Sequence, residues 1–175
     1  MGIKRSVYEK VGGFGSLRHG QDIEFSNRIR KSGGRIKFLI DAVVYHRRRT
    51  SLKQFFKQVF NWGVARVNLG KIDSSMLEPI HFLPALATLI GFGIVGTAIY
   101  PDFSMDKLFL IILIPLGFIS LFGAVKKNDL RIFPYLLIVI PAQIIGYGLG
   151  FILNFIKRFI FNQGSWTGFK KRYYA

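Results

Sequence analysis

The chain has no cysteine among its 175 residues, which excludes a disulfide framework, a thiolate metal site and a thiol nucleophile. Acid is scarce too. Nine Asp and Glu stand against 25 Lys and Arg, a formal charge of +16. The opening MGIKRSVYEK lacks the apolar stretch of a secretory signal peptide. Strong positive charge points to nucleic acid or to an anionic membrane surface. No aromatic-basic sheet or recognition-helix pattern supports nucleic acid.

What is abundant lies in the second half, where Leu, Ile, Phe and Gly dominate from Pro79 onward. Three stretches approach the ~20 apolar residues that cross a bilayer. They are PIHFLPALATLIGFGIVGTAIY (79–100), LFLIILIPLGFISLFGAV (108–125) and IFPYLLIVIPAQIIGYGLGFILNFI (132–156). Their Pro and Gly residues suit membrane helices better than soluble ones. Such a chain is expected to be integral to the cytoplasmic (inner) membrane. The Lys/Arg bias sets residues 1–72 on the cytoplasmic side and PDFSMD (101–106) outside, with KKNDLR (126–131) inside again. A third crossing then leaves the tail outside. Lys157, Arg158, Lys170, Lys171 and Arg172 argue for inside, so a kinked or re-entrant third segment is the alternative. The expected organisation is 1–50, a polar α/β part; 51–78, an interfacial helix and linker; 79–158, about three membrane helices; and 159–175, a basic tail.

Within the polar part, SVYEKVGGF reads as a short helix, with Ser6 and Glu9 as a capping box and Gly12 as its stop. GGFGS lacks the Lys-Ser/Thr ending of a phosphate loop and reads as a turn. A helix is expected from about Gln21 to Ser32, ended by Gly33 and Gly34. RIKFLI (35–40) and AVVYH (42–46) read as short strands. SLKQFFKQVFNWGVARVNL (51–69) is helical in period. Leu52, Phe55, Phe56, Val59 and Phe60 share a face, which suits a helix lying along the membrane interface; a core-facing helix is the other reading.

Candidate chemistry starts at RHGQDIEFSNRIRKSGG (18–34). Asp22 and Glu24 complement the dipole of a first turn. Glu24 also has Arg28 at i+4, whereas Asp22 has only Phe25 and Ser26 at i+3 and i+4. His46 precedes Arg47, Arg48 and Arg49, whose forked donors could hold phosphate or meet acidic lipid headgroups. Gln58, Asn61 and Trp62 lie within about one helical turn. Trp and Gln together suit a sugar ring, and Trp equally suits an interfacial anchor.

The order RSVYEKVGGF, GQDIEFSNRIRKSGGRI, DAVVYH and QVFNW, followed by membrane helices, resembles the C-terminal half of a family-2 glycosyltransferase. The likeness covers about residues 4–69. It implies an α/β fragment of a GT-A-like domain followed by an α-helical transmembrane region. It also implies inverting sugar transfer from a nucleotide-sugar donor to a glycan or lipid-linked acceptor at the cytoplasmic membrane face. By position in that family's motifs, Asp22 would be the general base and His46 a metal ligand beside the diphosphate. Gln58 and Trp62 would shape the acceptor site. Gln21 stands where the family has Glu, and Asn61 where its Q-x-x-R-W motif has Arg. Arg66 or Arg47, Arg48 and Arg49 would then take over the diphosphate contact. The complete family domain uses a divalent metal (Mg or Mn) held by D-x-D. No D-x-D occurs here, and the family's nucleotide-binding half has no counterpart, so these residues alone are expected to be incomplete. The competing expectation is non-enzymatic: a small cationic membrane protein that assists an envelope assembly or export complex.

Overall fold

A computed structural model describes residues 2–45, 51–97, 107 and 109–169. The chain divides into two compact units, residues 1–50 and 51–175.

In the first unit, α1 (Arg5–Val11) stops at Gly12, which adopts the left-handed conformation (φ 78°) that a residue with a Cβ rarely takes. The expected capping box does not form. The helix begins two residues earlier than the motif requires, with Lys4 at the cap and Ser6 inside the first turn. Glu9 instead accepts from Arg5 one turn back, at 2.7 Å. α2 (Gln21–Lys31) follows a left-handed Gly20 and ends at Ser32. Its apolar residues Phe25 and Ile29 are buried. The Phe25 ring sits 4.5 Å from Phe14 and 5.8 Å from Tyr8, a small aromatic core under the GGF turn.

The α/β expectation is overturned: the described residues contain no strand, and their regular structure is all-α. Residues 35–45 run as irregular chain with a turn at 40–41. Alternation alone does not make a strand, because its N–H and C=O groups need a ladder partner. Among the described residues no second segment offers one. Phe38, Ile40, Val44 and Tyr45 are accordingly 80–95 % exposed.

The second unit is a helical bundle. α3 (Leu52–Ile72) is capped by Ser51, whose hydroxyl accepts from the Gln54 amide at 3.3 Å. Two 3₁₀ turns, Ser74–Met76 and Pro79–Phe82, lead into α4 (Leu83–Thr97). A π-turn, Phe109–Leu113, precedes α5 (Ile114–Lys126). α6 (Phe133–Phe155) continues as a π-turn, Ile156–Ile160. Pro134 sits in α6's first turn, where its missing N–H costs nothing, while Pro141 lies inside.

α6 is the centre of the unit and packs against α3, α4 and α5. Its contact with α3 is set by glycine. A Cβ on Gly150 would lie 2.1 Å from the Phe60 carbonyl oxygen, and one on Gly63 2.2 Å from that of Tyr147. The two backbones touch, as small residues allow in membrane helix pairs. α3 is therefore covered well beyond its expected apolar face, with Asn61, Val64, Ala65, Val67, Asn68 and Leu69 also buried.

Two helices are long and apolar enough to cross a membrane, Pro79–Thr97 and Leu130–Ile160; the apolar helix Leu110–Lys126 is shorter. Only 11 % of the first and 22 % of the second is buried by protein. The core helices of a soluble protein would be largely covered. Phe92, Phe118, Phe122 and Ile138 are each at least half exposed.

Candidate functional site

The acids of α2 separate in three dimensions. Glu24 is buried, and Arg28 grips both of its oxygens, from Nε at 2.5 Å and from Nη2 at 2.8 Å. The same guanidinium donates through Nη2 to the Gly13 carbonyl at 2.6 Å, and through Nη1 to the Val11 carbonyl. Arg28 thus ties α2 to the turn that ends α1. The hydrogen bond to Glu24 raises the guanidinium's pKa, with burial acting in the opposite direction. Asp22 is exposed on the first turn and takes no ion pair with the described residues. Its carboxylate is exposed in the first turn of the helix.

On α3, Gln58, Trp62 and Arg66 recur every four residues and so form one stripe. Trp62 is 48 % exposed and Gln58 half-buried, an arrangement open to a ring-shaped ligand or to lipid. Arg66 is committed inward. It donates to the Met76 carbonyl at 3.2 Å and lies beside Tyr147 of α6, so part of its fork is occupied in holding the turn after α3. Asp22 belongs to the first unit and the α3 stripe to the second. His46, Arg47, Arg48 and Arg49 lie outside the described residues.

Asn61, which stands where the resembling motif has Arg, has a clear local task. Its amide donates to the Phe169 carbonyl at 3.2 Å, and its carbonyl accepts from the Phe169 N–H at 2.8 Å. One side chain satisfies both backbone groups of a residue 108 positions away. Asn68 donates to the Trp166 carbonyl at 2.7 Å. Asn154, fully buried on α6, donates to the Val64 carbonyl at 2.8 Å and to Asn68 Oδ1 at 3.0 Å. This asparagine ladder joins α3, α6 and the segment 162–169. Sequence reading passed over Asn68 and the ladder. The only available signal was polar residues on an otherwise apolar helix face, and their partners are far away in sequence. A smaller polar group at the start of α4 was also passed over: His81 Nδ1 accepts from the Glu78 N–H at 2.9 Å.

The described residues do not fit a divalent metal. No three His, Asp or Glu side chains among them come together, and His46 falls outside. No known protein family matches the chain, and neither a curated protein nor a solved structure matches it.

Proposed function

We propose that this chain takes part in inverting sugar transfer at the cytoplasmic face of a membrane, with Asp22 as general base. The observation that carries the reading is the unequal treatment of α2's two acids. Glu24 is consumed by Arg28, while Asp22 keeps an exposed carboxylate at a helix N-terminus. Two further observations support it. Gln58 and Trp62 share a stripe on α3, and helices able to cross a membrane follow directly.

In this reading the Asp22 carboxylate accepts the proton of the acceptor hydroxyl as that oxygen attacks the anomeric carbon. The bond from that carbon to the diphosphate oxygen breaks, and the nucleoside diphosphate leaves. Configuration inverts because attack comes from the face opposite the leaving group. Within the second unit, the α3 stripe of Gln58 and Trp62 offers an amide and an apolar platform of the kind that suits a sugar ring. No D-x-D occurs in the sequence, and in this reading the forked donors of Arg47, Arg48 and Arg49 meet the donor's diphosphate. The chain spans the cytoplasmic membrane with residues 1–72 inside.

The test uses native host cells from which the chain is deleted and then restored as wild type or Asp22→Asn. Incorporation of radiolabelled sugar from a panel of UDP- and GDP-sugars into lipid and polysaccharide fractions is measured. Wild type restores incorporation. Asp22→Asn lowers it about 10²–10⁴-fold, the usual contribution of a general base, at unchanged membrane content. Full restoration by Asp22→Asn removes the base assignment, and no effect of deletion removes sugar transfer altogether.

A non-enzymatic envelope-assembly role is favoured by a different observation, the exposed apolar side chains of residues 36–45, which suit a protein partner. That reading is adopted if incorporation is unaffected by deletion while the chain co-purifies with a membrane complex through this segment.

A further inference from the structure

The register of the second unit fixes which helix ends lie together. α3 runs parallel to the second half of α6. Val59 meets Gly146, Val64 meets Asn154, and the Lys71 ammonium sits 4.8 Å from the Phe159 ring. α4 runs antiparallel to α6. Phe82 packs on Phe151 and Phe155, Pro84 lies against Gly148, and Thr88 donates to the Ile144 carbonyl. α4 therefore starts where α6 ends and heads toward the start of α6. α5 finishes at that same far end, with Gly123 against Leu136. Whatever path joins α4 to α5, the chain between the end of α4 and the end of α5 makes no net crossing.

After α6 the chain turns back. Gln163 N–H donates to the Lys157 carbonyl at 2.8 Å, and Asn162 takes a positive φ of 47°. Residues 162–169 then lie along α3 as a strap, held by Asn68 at Trp166 and by Asn61 at Phe169. Leu130–Ile160 is 31 residues, about 45 Å at the helical rise of ~1.5 Å per residue. The hydrocarbon core takes ~30 Å of that, so one or both ends of this helix project beyond it. At its C-terminal end the cations are seated on rings. Lys157 lies 4.0 Å from the centroid of Trp166, and Lys57 lies 5.7 Å from that of Phe169. Basic and aromatic residues together are what an anionic headgroup layer accepts.

We propose that the start of α4, the end of α6 and the 162–169 strap lie on one side of the membrane, with the cations there against its anionic headgroups. Among the described helices, α4 and α6 then make the net crossings. This rests on the membrane reading above and goes beyond it, because it replaces the three-crossing expectation with an even number. Lys71, Lys157 and Arg158 lie at this end of the unit, which makes that side cytoplasmic. The basic tail and the basic first half then no longer conflict, while Lys126, Lys127 and Arg131, expected inside from the sequence, fall on the outer side.

A cysteine-free chain suits the test. Single substitutions Ser75→Cys, Lys127→Cys and Ser165→Cys, all at exposed positions, are placed in the full chain. Each is treated with a membrane-impermeant maleimide in inside-out and right-side-out vesicles. Ser75→Cys and Ser165→Cys are expected to label in inside-out vesicles and Lys127→Cys in right-side-out ones, with at least a tenfold preference each. Labelling of Ser165→Cys from the side opposite Ser75→Cys overturns the proposal, as does labelling of Lys127→Cys from the same side as Ser75→Cys. Labelling of all three in both preparations, with release of the chain by alkaline carbonate, overturns the membrane reading itself.

Discussion

Arg28 serves four acceptors with one planar group: both Glu24 oxygens and the carbonyls of Val11 and Gly13. Sequence spacing indicated the i+4 pair with Glu24, but an exposed pair of that kind contributes only a few tenths of a kcal/mol. Burial of Glu24 and the two carbonyl contacts raise the stakes, because removing the guanidinium strands a buried carboxylate and two backbone acceptors. Arg28→Met is expected to cost about 2–3 kcal/mol. Amide hydrogen exchange over α1 and α2 in the full chain should then quicken roughly 30- to 150-fold. Arg28→Lys should recover little, since an ammonium cannot present the same planar fork. Asp22→Asn should leave exchange in α2 within about twofold, because the side chain's local contribution is limited to the helix dipole. A large loss of protection there would show that Asp22 holds the helix together.

At the scale of elements, α3 and α6 are held by absent side chains. Gly150→Val or Gly63→Val would drive a branched side chain into a carbonyl oxygen about 2 Å from where its Cβ must sit. Each is expected to destabilise the unit by about 2–3 kcal/mol and to lower its thermal midpoint in detergent, while Gly93→Ala, facing open space, should be neutral. Equal behaviour of Gly93→Ala and Gly150→Val would remove the close-contact account. The helices were readable locally: Gly12 and Gly33 mark their stops, and the periodicity of 51–69 gave the start of α3 to within one residue and its end to within three. The strands were not. Residues 35–40 and 42–46 carry strand-forming side chains, but a strand is completed by another segment, and none of the described residues supplies it. The asparagine ladder was invisible for the same reason, since Asn61 looks like a misplaced polar residue until Phe169 is beside it.

For the whole molecule, two forces could hold the chain at a membrane: its charge of +16 and the apolar surfaces of α4 and α6. They separate by solvent. Charge attraction is screened at ~1 M salt, where the Debye length falls to ~3 Å, whereas apolar burial is not. The chain is expected to stay in the membrane pellet through high salt and alkaline carbonate and to leave only with detergent. Release by salt alone would assign the attachment to charge. Composition made this scale the most legible of the three, because runs of apolar residues need no partner to be read. The path between them was harder. Charge counting left the tail ambiguous, and the packing of α4, α5 and α6 supplies the missing constraint. The strap also has a consequence in time. Asn61 and Phe169 are 108 residues apart, and at ~5–20 residues per second of synthesis the first waits roughly 5–20 seconds for the second. During that interval α3 leaves the ribosome with its glycine face bare and its asparagines unmatched. Its final seat is not available until the last helix has been made, so this protein closes from its end backward.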